Sequence, residues 1–358
     1  MAFQTTDERR MLAESLSRYL QQHYDYAHRL KVAYDAPFHD PSRWSALAEL
    51  GTLAALASED AGGFGGEGLD IATVFEALGH GLCPEPLLPA LMGLRVLLAA
   101  DRPIEAVLEG RERLALALGE PGGGSGLEPP QTEARMEAGQ WRLSGRKSVV
   151  WGGGAAHRLI VSACHAGGVG LFEVAAEDAQ ISAYAMIDGG GAAEITLQDT
   201  AAQCLLEDGA AALADAIDHG LLALCAEAVG AMAQVQLLTA DYLRTRKQFG
   251  TAIGRFQVLR HRFVDLVIEI EQARSITFLA ASRMDDPVAR GRALSMAKAL
   301  VGKVARQVAE ETIQMHGGIG MTWEAGVSHY AKRLVMIDHQ LGDSLLHLER
   351  VARAYRAA

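Results

Sequence analysis

Two short polar stretches interrupt an otherwise helical, Ala- and Leu-rich C-terminal half. The first is Arg246-Lys247-Gln248-Phe249-Gly250, followed closely by Phe256-Gln257; the second is Gln314-Met315-His316-Gly317-Gly318-Ile319-Gly320. Each sits where a long amphipathic pattern stops. Helix ends carry unpaired backbone groups and partial charge, and a phosphate-bearing ligand can be held there. The forked guanidinium of Arg246 suits a pyrophosphate, and the amides of Gln248 and Gln257 suit a polar ring edge. Gly317 and Gly318 would let backbone approach such a ligand closely. An imidazole ordinarily titrates near neutrality, but His316 has no recognisable Asp, Ser or Cys partner, so a positioning role is expected of it rather than proton transfer.

The plain alternatives are that Arg246-Lys247 merely complements a helix dipole and that Phe249 is core. The motif alone leaves both readings open. A third Gly-rich stretch, Glu120-Pro121-Gly122-Gly123-Gly124-Ser125-Gly126, follows the β-prone run Leu114 to Leu118. It has no Gly-x-Gly-x-x-Gly in a βαβ context, so a Rossmann site is excluded.

Three textures of sequence must position these groups. Residues 1–112 read as an α-helical domain, with helices starting at Thr6-Asp7-Glu8 and Asp40-Pro41-Ser42-Arg43. Met11, Leu12, Leu16 and Leu20 mark the inner face of the first, and Trp44, Leu47 and Leu50 that of the second. Helices are also expected from Asp70 through Leu78 and from Leu87 to Ala100, with a glycine-rich turn at 59–66. Residues 113–208 carry short β-prone runs (114–118, 140–143, 158–162, 169–174 and 194–197) separated by Gly-rich joints, which predicts a small antiparallel β-barrel. Residues 209–358 return to the helical period and read as a bundle, with Phe256, Leu259, Phe263, Val267, Ile270 and Ala273 spaced as a packing seam.

The net charge of −11 argues against nucleic-acid binding. Cys83, Cys164, Cys204 and Cys225 have no CxxC spacing and read as reduced, mostly buried thiols of a cytoplasmic protein, with neither a disulfide frame nor a metal site. No signal peptide and no membrane span are expected. The apolar run Leu221 to Val235 contains Glu227 and reads as a buried core helix.

The Arg-Lys-Gln-Phe-Gly and Gln-Met-His-Gly-Gly stretches together resemble those of the acyl-CoA dehydrogenase family, and the α–β–α order resembles that family's over nearly the whole chain. The resemblance implies the acyl-CoA dehydrogenase fold: an N-terminal α-helical domain, a middle antiparallel β-barrel domain and a C-terminal four-helix bundle. It implies FAD as cofactor, an acyl-CoA as substrate, α,β-dehydrogenation to a trans-2-enoyl-CoA and an electron-transferring flavoprotein as oxidant. Arg246, Gln248, Phe249, Phe256 and Gln257 would then serve the diphosphate and flavin edge, and Gln314, His316, Gly317 and Gly318 the ADP end. The Gly-rich stretch resembles the family's Thr-Glu-Pro-x-Ala-Gly-Ser-Asp loop; Ser125 survives there, whereas Gly119 stands for the threonine and Gly126 for the aspartate. Val149-Val150-Trp151 stands where the family has Trp-Ile-Thr/Ser against the flavin, so Trp151 replaces the hydroxyl that bonds N5.

The family's chemistry needs a carboxylate that removes the α-proton, and it occupies one of two places. In this chain those places hold Leu341 and Gly220. Asp343 is a weak substitute and Glu227 a more remote one. This pattern is similar to the short second subunits of two-gene dehydrogenases, of the pimeloyl-CoA dehydrogenase small-subunit kind, in which a homologous large subunit supplies the Glu. The assembly implied is α2β2, or a homotetramer if Asp343 serves as base; a non-catalytic scaffold subunit is the remaining alternative.

Overall fold

A computed structural model describes residues 6–123 and 127–357 of the chain. Two compact units interleave along the sequence: Ala27–Asp70 with Pro84–Leu221, and Met1–Tyr26 with Ile71–Cys83 and Leu222–Ala358.

The first of these is built on a sheet whose strands are β1 (Leu114–Ala117), β2 (Glu133–Glu137), β3 (Gln140–Trp151), β4 (Arg158–His165), β5 (Gly168–Ala175), β6 (Gln180–Ala185) and β7 (Gly191–Leu206). Pairing runs β4–β2–β3–β7–β5 and returns to β4, closing a small barrel, while β6 lies along β7. Alternating residues fill the interior: Leu143, Val150, Val161, Phe172, Ile195 and Leu197 are all buried together. Most pairings are antiparallel as expected, and two are parallel: β2 with β4, Glu133 opposite Cys164, and β1 with β4, Leu114 opposite Arg158. The β2–β3 hairpin intervenes between them, so the chain re-enters the sheet running the same way. β2 and β6 were missed in the sequence because their outward residues leave little apolar alternation, as in the mostly exposed Glu133–Glu137.

The helices of this unit include α1 (Pro41–Glu49), started by Pro41 and capped by Asp40, whose carboxylate accepts from Ser42 and Arg43 N. Trp44 and Leu47 are buried, whereas Leu50, expected with them, is exposed. The Trp44 indole N–H donates to Gly110 O at 2.8 Å, satisfying a polar atom that burial would otherwise orphan. Helix α2 (Leu87–Ala99) is buried almost all round.

The second unit gathers helices distant in sequence. Helix α3 (Asp7–His23) buries Leu16 and Leu20, while Met11 is exposed rather than inward. Most of α4 (Gly68–His80) lies here, as does α5 (Ala210–Thr245) from Leu222 onward. The hairpin Lys247–Gln248/Thr251–Ala252 leads to α6 (Gln257–Ala281), α7 (Arg290–His316), α8 (Gly326–His339) and α9 (Ser344–Ala357). Helix α7 packs against α6, α8 and α9. Helices α4 and α5 cross at glycines: a Cβ at Gly230 would run into the Glu76 carbonyl, and one at Gly79 into that of Glu227.

The seam read for α6 is shifted. Leu266, Ile270, Ala273, Thr277 and Ala280 are buried, but Phe256 is exposed and Leu259, Phe263 and Val267 are only partly covered. Helix α5 is the one helix among the described residues long and apolar enough to cross a membrane, and 67% of its apolar window is buried inside the protein. All four cysteines are free thiols; Cys225 is buried and the other three are half-buried. Among the described residues no His, Cys, Asp or Glu cluster could hold a metal ion.

Candidate functional site

The first polar stretch begins where α5 ends. Gln248 pairs with Thr251, and the two residues between them, Phe249 and Gly250, have φ of 53° and 78°. Two successive left-handed residues are the signature of a tight hairpin turn, and Gly supplies the second without strain. Phe249 is therefore not core: it is 91% exposed at the turn tip, its ring meeting that of Phe256 edge-on at 6.0 Å. Ile253 N donates to Arg246 O at 2.9 Å and closes the loop. Phe256 then caps α6 and Gln257 is its first residue. The side chains of Arg246, Gln248 and Gln257 are exposed, and none engages a partner among the described residues.

The second stretch ends α7. Gln314 is exposed and likewise unengaged, and Gly317 has φ of 67°. A Cβ at either Gly317 or Gly318 would find nothing within 4 Å, so the backbone faces open space. His316 donates through Nδ1 to Thr312 O at 2.8 Å, and burial pulls its pKa below the usual value. Tyr242, one helical turn before Arg246, stacks on the His316 ring at 4.4 Å and donates its hydroxyl to His316 O at 3.1 Å. The two stretches are thus joined in one unit although Tyr242 and His316 are 74 residues apart. Sequence reasoning passed over Tyr242; its place a turn ahead of Arg246 was the available signal. A guanidinium, three amides and bare glycine backbone, all unengaged by protein, fit a phosphorylated dinucleotide that approaches closely.

The carboxylates nearby have other work. Asp343 Oδ1 accepts from Leu346 N at 2.8 Å, so this residue caps α9. Glu227 forms a two-pronged ion pair with Arg333, both contacts 2.6 Å, and Arg333 also donates to Gln340. Leu341, at one place where a base would stand, is 1% exposed with φ of 55°. Its carbonyl accepts from His347 Nε2 at 2.9 Å. Beneath this turn the buried Lys298 donates to Asp338 O and Gly342 O at 2.8 and 2.6 Å. Asp338 pairs with Arg306 and accepts from Ser344 N. This polar seat was invisible in the sequence, because Lys298 lies 40 residues from Asp338 and 44 from Gly342. Gly220, the other place, is buried and offers no side chain.

In the barrel unit the Gly-rich loop starts at Glu120, which accepts from Lys147 Nζ at 2.7 Å and from Thr132 Oγ1, Thr132 N and Gln131 N. Burial raises the Glu120 pKa, but these bonds outweigh it and hold the carboxyl below its usual range. Ser125 lies outside the described residues. Strand β3 bulges between Lys147 and Val150, the interval that carries Ser148 and Val149. Glu194 pins the bulge, accepting from Ser148 Oγ at 2.6 Å, Val149 N at 3.2 Å and Tyr184 OH at 3.1 Å. Burial and the Glu194 charge push the Tyr184 pKa up to about 12. Val149 is held outward with φ of 52°.

The bulge presses on the neighbouring turn. Ser148 N donates to Gly119 O at 2.8 Å, and a Cβ at Gly119 would lie 2.8 Å from Ser148 O. The turn at Gly119 is therefore in direct backbone contact with the bulge that leads into the triplet 149–151. Trp151 is half-buried, and its indole N–H is enclosed and meets no acceptor among the described residues. It presents no donor in place of the hydroxyl that the resemblance implies at this position.

Comparison with known proteins agrees with this anatomy. Residues 6–101 match the model of the acyl-CoA dehydrogenase N-terminal domain and residues 207–355 that of the C-terminal domain. The chain is 30% identical over 337 residues to acyl-CoA dehydrogenase IpdE2 of Mycobacterium tuberculosis, covering 91% of each protein. Among solved structures, the Tcur3481-Tcur3483 steroid ACAD is 29% identical with a TM-score of 0.90, covering 98% of each chain. The ChsE4-ChsE5 complex from Mycobacterium tuberculosis shares the fold at a TM-score of 0.91, with 24% identity and 100% of each chain covered. The chain belongs to the acyl-CoA dehydrogenase family, oxidoreductases that act on CH–CH bonds.

Proposed function

We propose that this chain is one subunit of an FAD-dependent acyl-CoA dehydrogenase whose α-proton-abstracting carboxylate comes from a homologous partner subunit. The observation that carries this reading is a split within the chain. The groups suited to the diphosphate, Arg246, and to the ADP end, Gln314, Gly317 and Gly318, are unengaged and open among the described residues. The positions that would serve the reacting centre hold Gly119, Trp151, Gly220 and Leu341. When bound, FAD supplies the acceptor for the β-hydrogen as hydride, while the α-proton passes to the partner's carboxylate. Arg246 neutralises the pyrophosphate, Gln248 and Gln257 hold the polar edge of the flavin, and the glycines admit the diphosphate to the backbone.

The reaction is desaturation of a fatty or steroid side-chain acyl-CoA to the trans-2-enoyl-CoA, with electrons leaving through an electron-transferring flavoprotein. The paired names of Tcur3481-Tcur3483 and ChsE4-ChsE5 support a two-chain assembly. The free thiols suit a cytoplasmic location.

The test is Arg246→Ala in the assembled oligomer, with bound flavin measured by absorbance. Loss of one charge-assisted contact weakens FAD by roughly 1.5–3 kcal/mol, about ten- to a hundredfold. Undiminished flavin content and affinity would remove the basis of the proposal.

A further inference from the structure

Helix α6 turns one side to α7 and leaves the other bare. The buried side is Leu266, Ile270, Ala273, Thr277 and Ala280. On the opposite side Arg260, Val264, Ile268 and Glu271 fall within an arc of about 80°. All four are exposed, Val264 at 53% and Ile268 at 52%. The order along this stripe is a cation, two apolar side chains and an anion. Neither charge is well used within the chain. Arg260 has no side-chain partner among the described residues, whereas the neighbouring Arg262 is held by Glu311 at 2.6 Å. Glu271 reaches Arg274 at 3.6 Å, and that guanidinium is already engaged by Glu76. Arg260 also sits near the helix end whose backbone carries positive partial charge, with no acid in the first turn to offset it. A bare cation set against the dipole is unfavourable unless an anion reaches it from outside.

We propose that this stripe is a contact between two copies of the chain, α6 against α6 in antiparallel order about a two-fold axis passing beside Leu266. A two-fold contact sets residue i on j and j on i. With the axis there, Val264 of each copy meets Ile268 of the other, and Arg260 meets Glu271, twice over by symmetry. A stripe whose charge reverses sign across its apolar centre is its own complement, which a surface made for a different chain has no need to be. The partner subunit proposed above then lies on another surface. No flavin enters these contacts, so their failure leaves the cofactor reading as it stands.

The test reverses charges in the full-length chain, within the assembly it forms. Arg260→Glu alone sets carboxylate against carboxylate twice, and Glu271→Arg alone sets guanidinium against guanidinium. Each should raise the dissociation constant roughly ten- to a hundredfold, read as loss of assembled mass over a dilution series in sedimentation. Arg260→Glu combined with Glu271→Arg in one chain restores both pairs and should restore the mass. Mixing identifies the occupant. Tagged Arg260→Glu copies should retain untagged Glu271→Arg copies, because both contacts between them are again opposite in charge, in preference to untagged Arg260→Glu copies. Wild-type mass in both single variants overturns the proposal. So does a loss of mass that neither the double variant nor the mixture repairs, which would give the stripe to a different chain.

Discussion

At the scale of single residues, the acids that sequence alone puts forward as bases are accounted for by structure. Asp343 caps α9, and Glu227 is held by both prongs of Arg333. Asp343→Ala should therefore lower stability by about 1 kcal/mol, the usual cost of a lost cap, with flavin reduction by acyl-CoA in the assembled enzyme unchanged. Thermal unfolding and stopped-flow absorbance check the two parts, and abolished reduction would restore Asp343 as the base. Arg246, Gln314 and the glycine pair were legible because helix ends announce themselves in sequence. Tyr242 and Lys298 were not, since a tyrosine within a helix and a lone lysine in an Ala- and Leu-rich run carry no mark of a distant partner. Their roles depend on which distant turn comes to rest beside them.

At the scale of elements, the Glu194-pinned bulge of β3 and the turn at Gly119 form one fitted pair. Restoring the family residue alone by Gly119→Thr should destabilise the protein by ~1–3 kcal/mol, because backbone of Ser148 occupies the space. Chemical denaturation measures it, and a neutral substitution would mean that the bulge yields. The strands at 114, 140, 158, 169 and 194 were readable from short apolar runs between glycines, whereas β2, β6 and the parallel course of β1 were not. A run of four apolar residues such as Leu114–Ala117 says nothing of strand direction.

The turn before α9 gives a pH signature at this same scale. His347 is fully buried, and burial, with the Lys298 charge, lowers its pKa from 6.5 to about 4 despite its bond to Leu341 O. The unfolded chain takes up this proton near the ordinary value and the folded chain only near about 4. The contribution is therefore fully present above the ordinary value, lost as pH falls through the interval between them, and constant below. Its size is on the order of 3 kcal/mol. Burial also lowers His39, His80, His157 and His316, so the quantity to measure is the difference in slope between wild type and His347→Gln. Parallel stability–pH curves for the two proteins would show that His347 titrates normally.

At the scale of the whole molecule, α6 leaves Val258, Val264 and Ile268 exposed, with Ile319 and Met321 exposed after α7. Apolar surface of this kind calls for a cover, and the assembly proposed above predicts one at Val264 and Ile268, one turn apart. Val264→Asp with Ile268→Asp should reduce the assembled mass in sedimentation while the subunit stays folded; an unchanged mass would place the contact elsewhere. Sequence marked α6 as a packing helix but misplaced its inner seam, because a helix apolar on more than one side has two candidate faces.

The glycine crossing of α4 and α5 has a consequence for biogenesis. Gly79 and Glu76 leave the ribosome about 150 residues ahead of Gly230 and Glu227, and the helical unit also draws on the chain beyond 290. Helix α4 must wait, its sticky face bare, until α5 and the helices beyond residue 290 have been made, and closing so long a loop is slow. A nascent chain halted midway would have no finished helical body to fall back on and would be a natural client for chaperones.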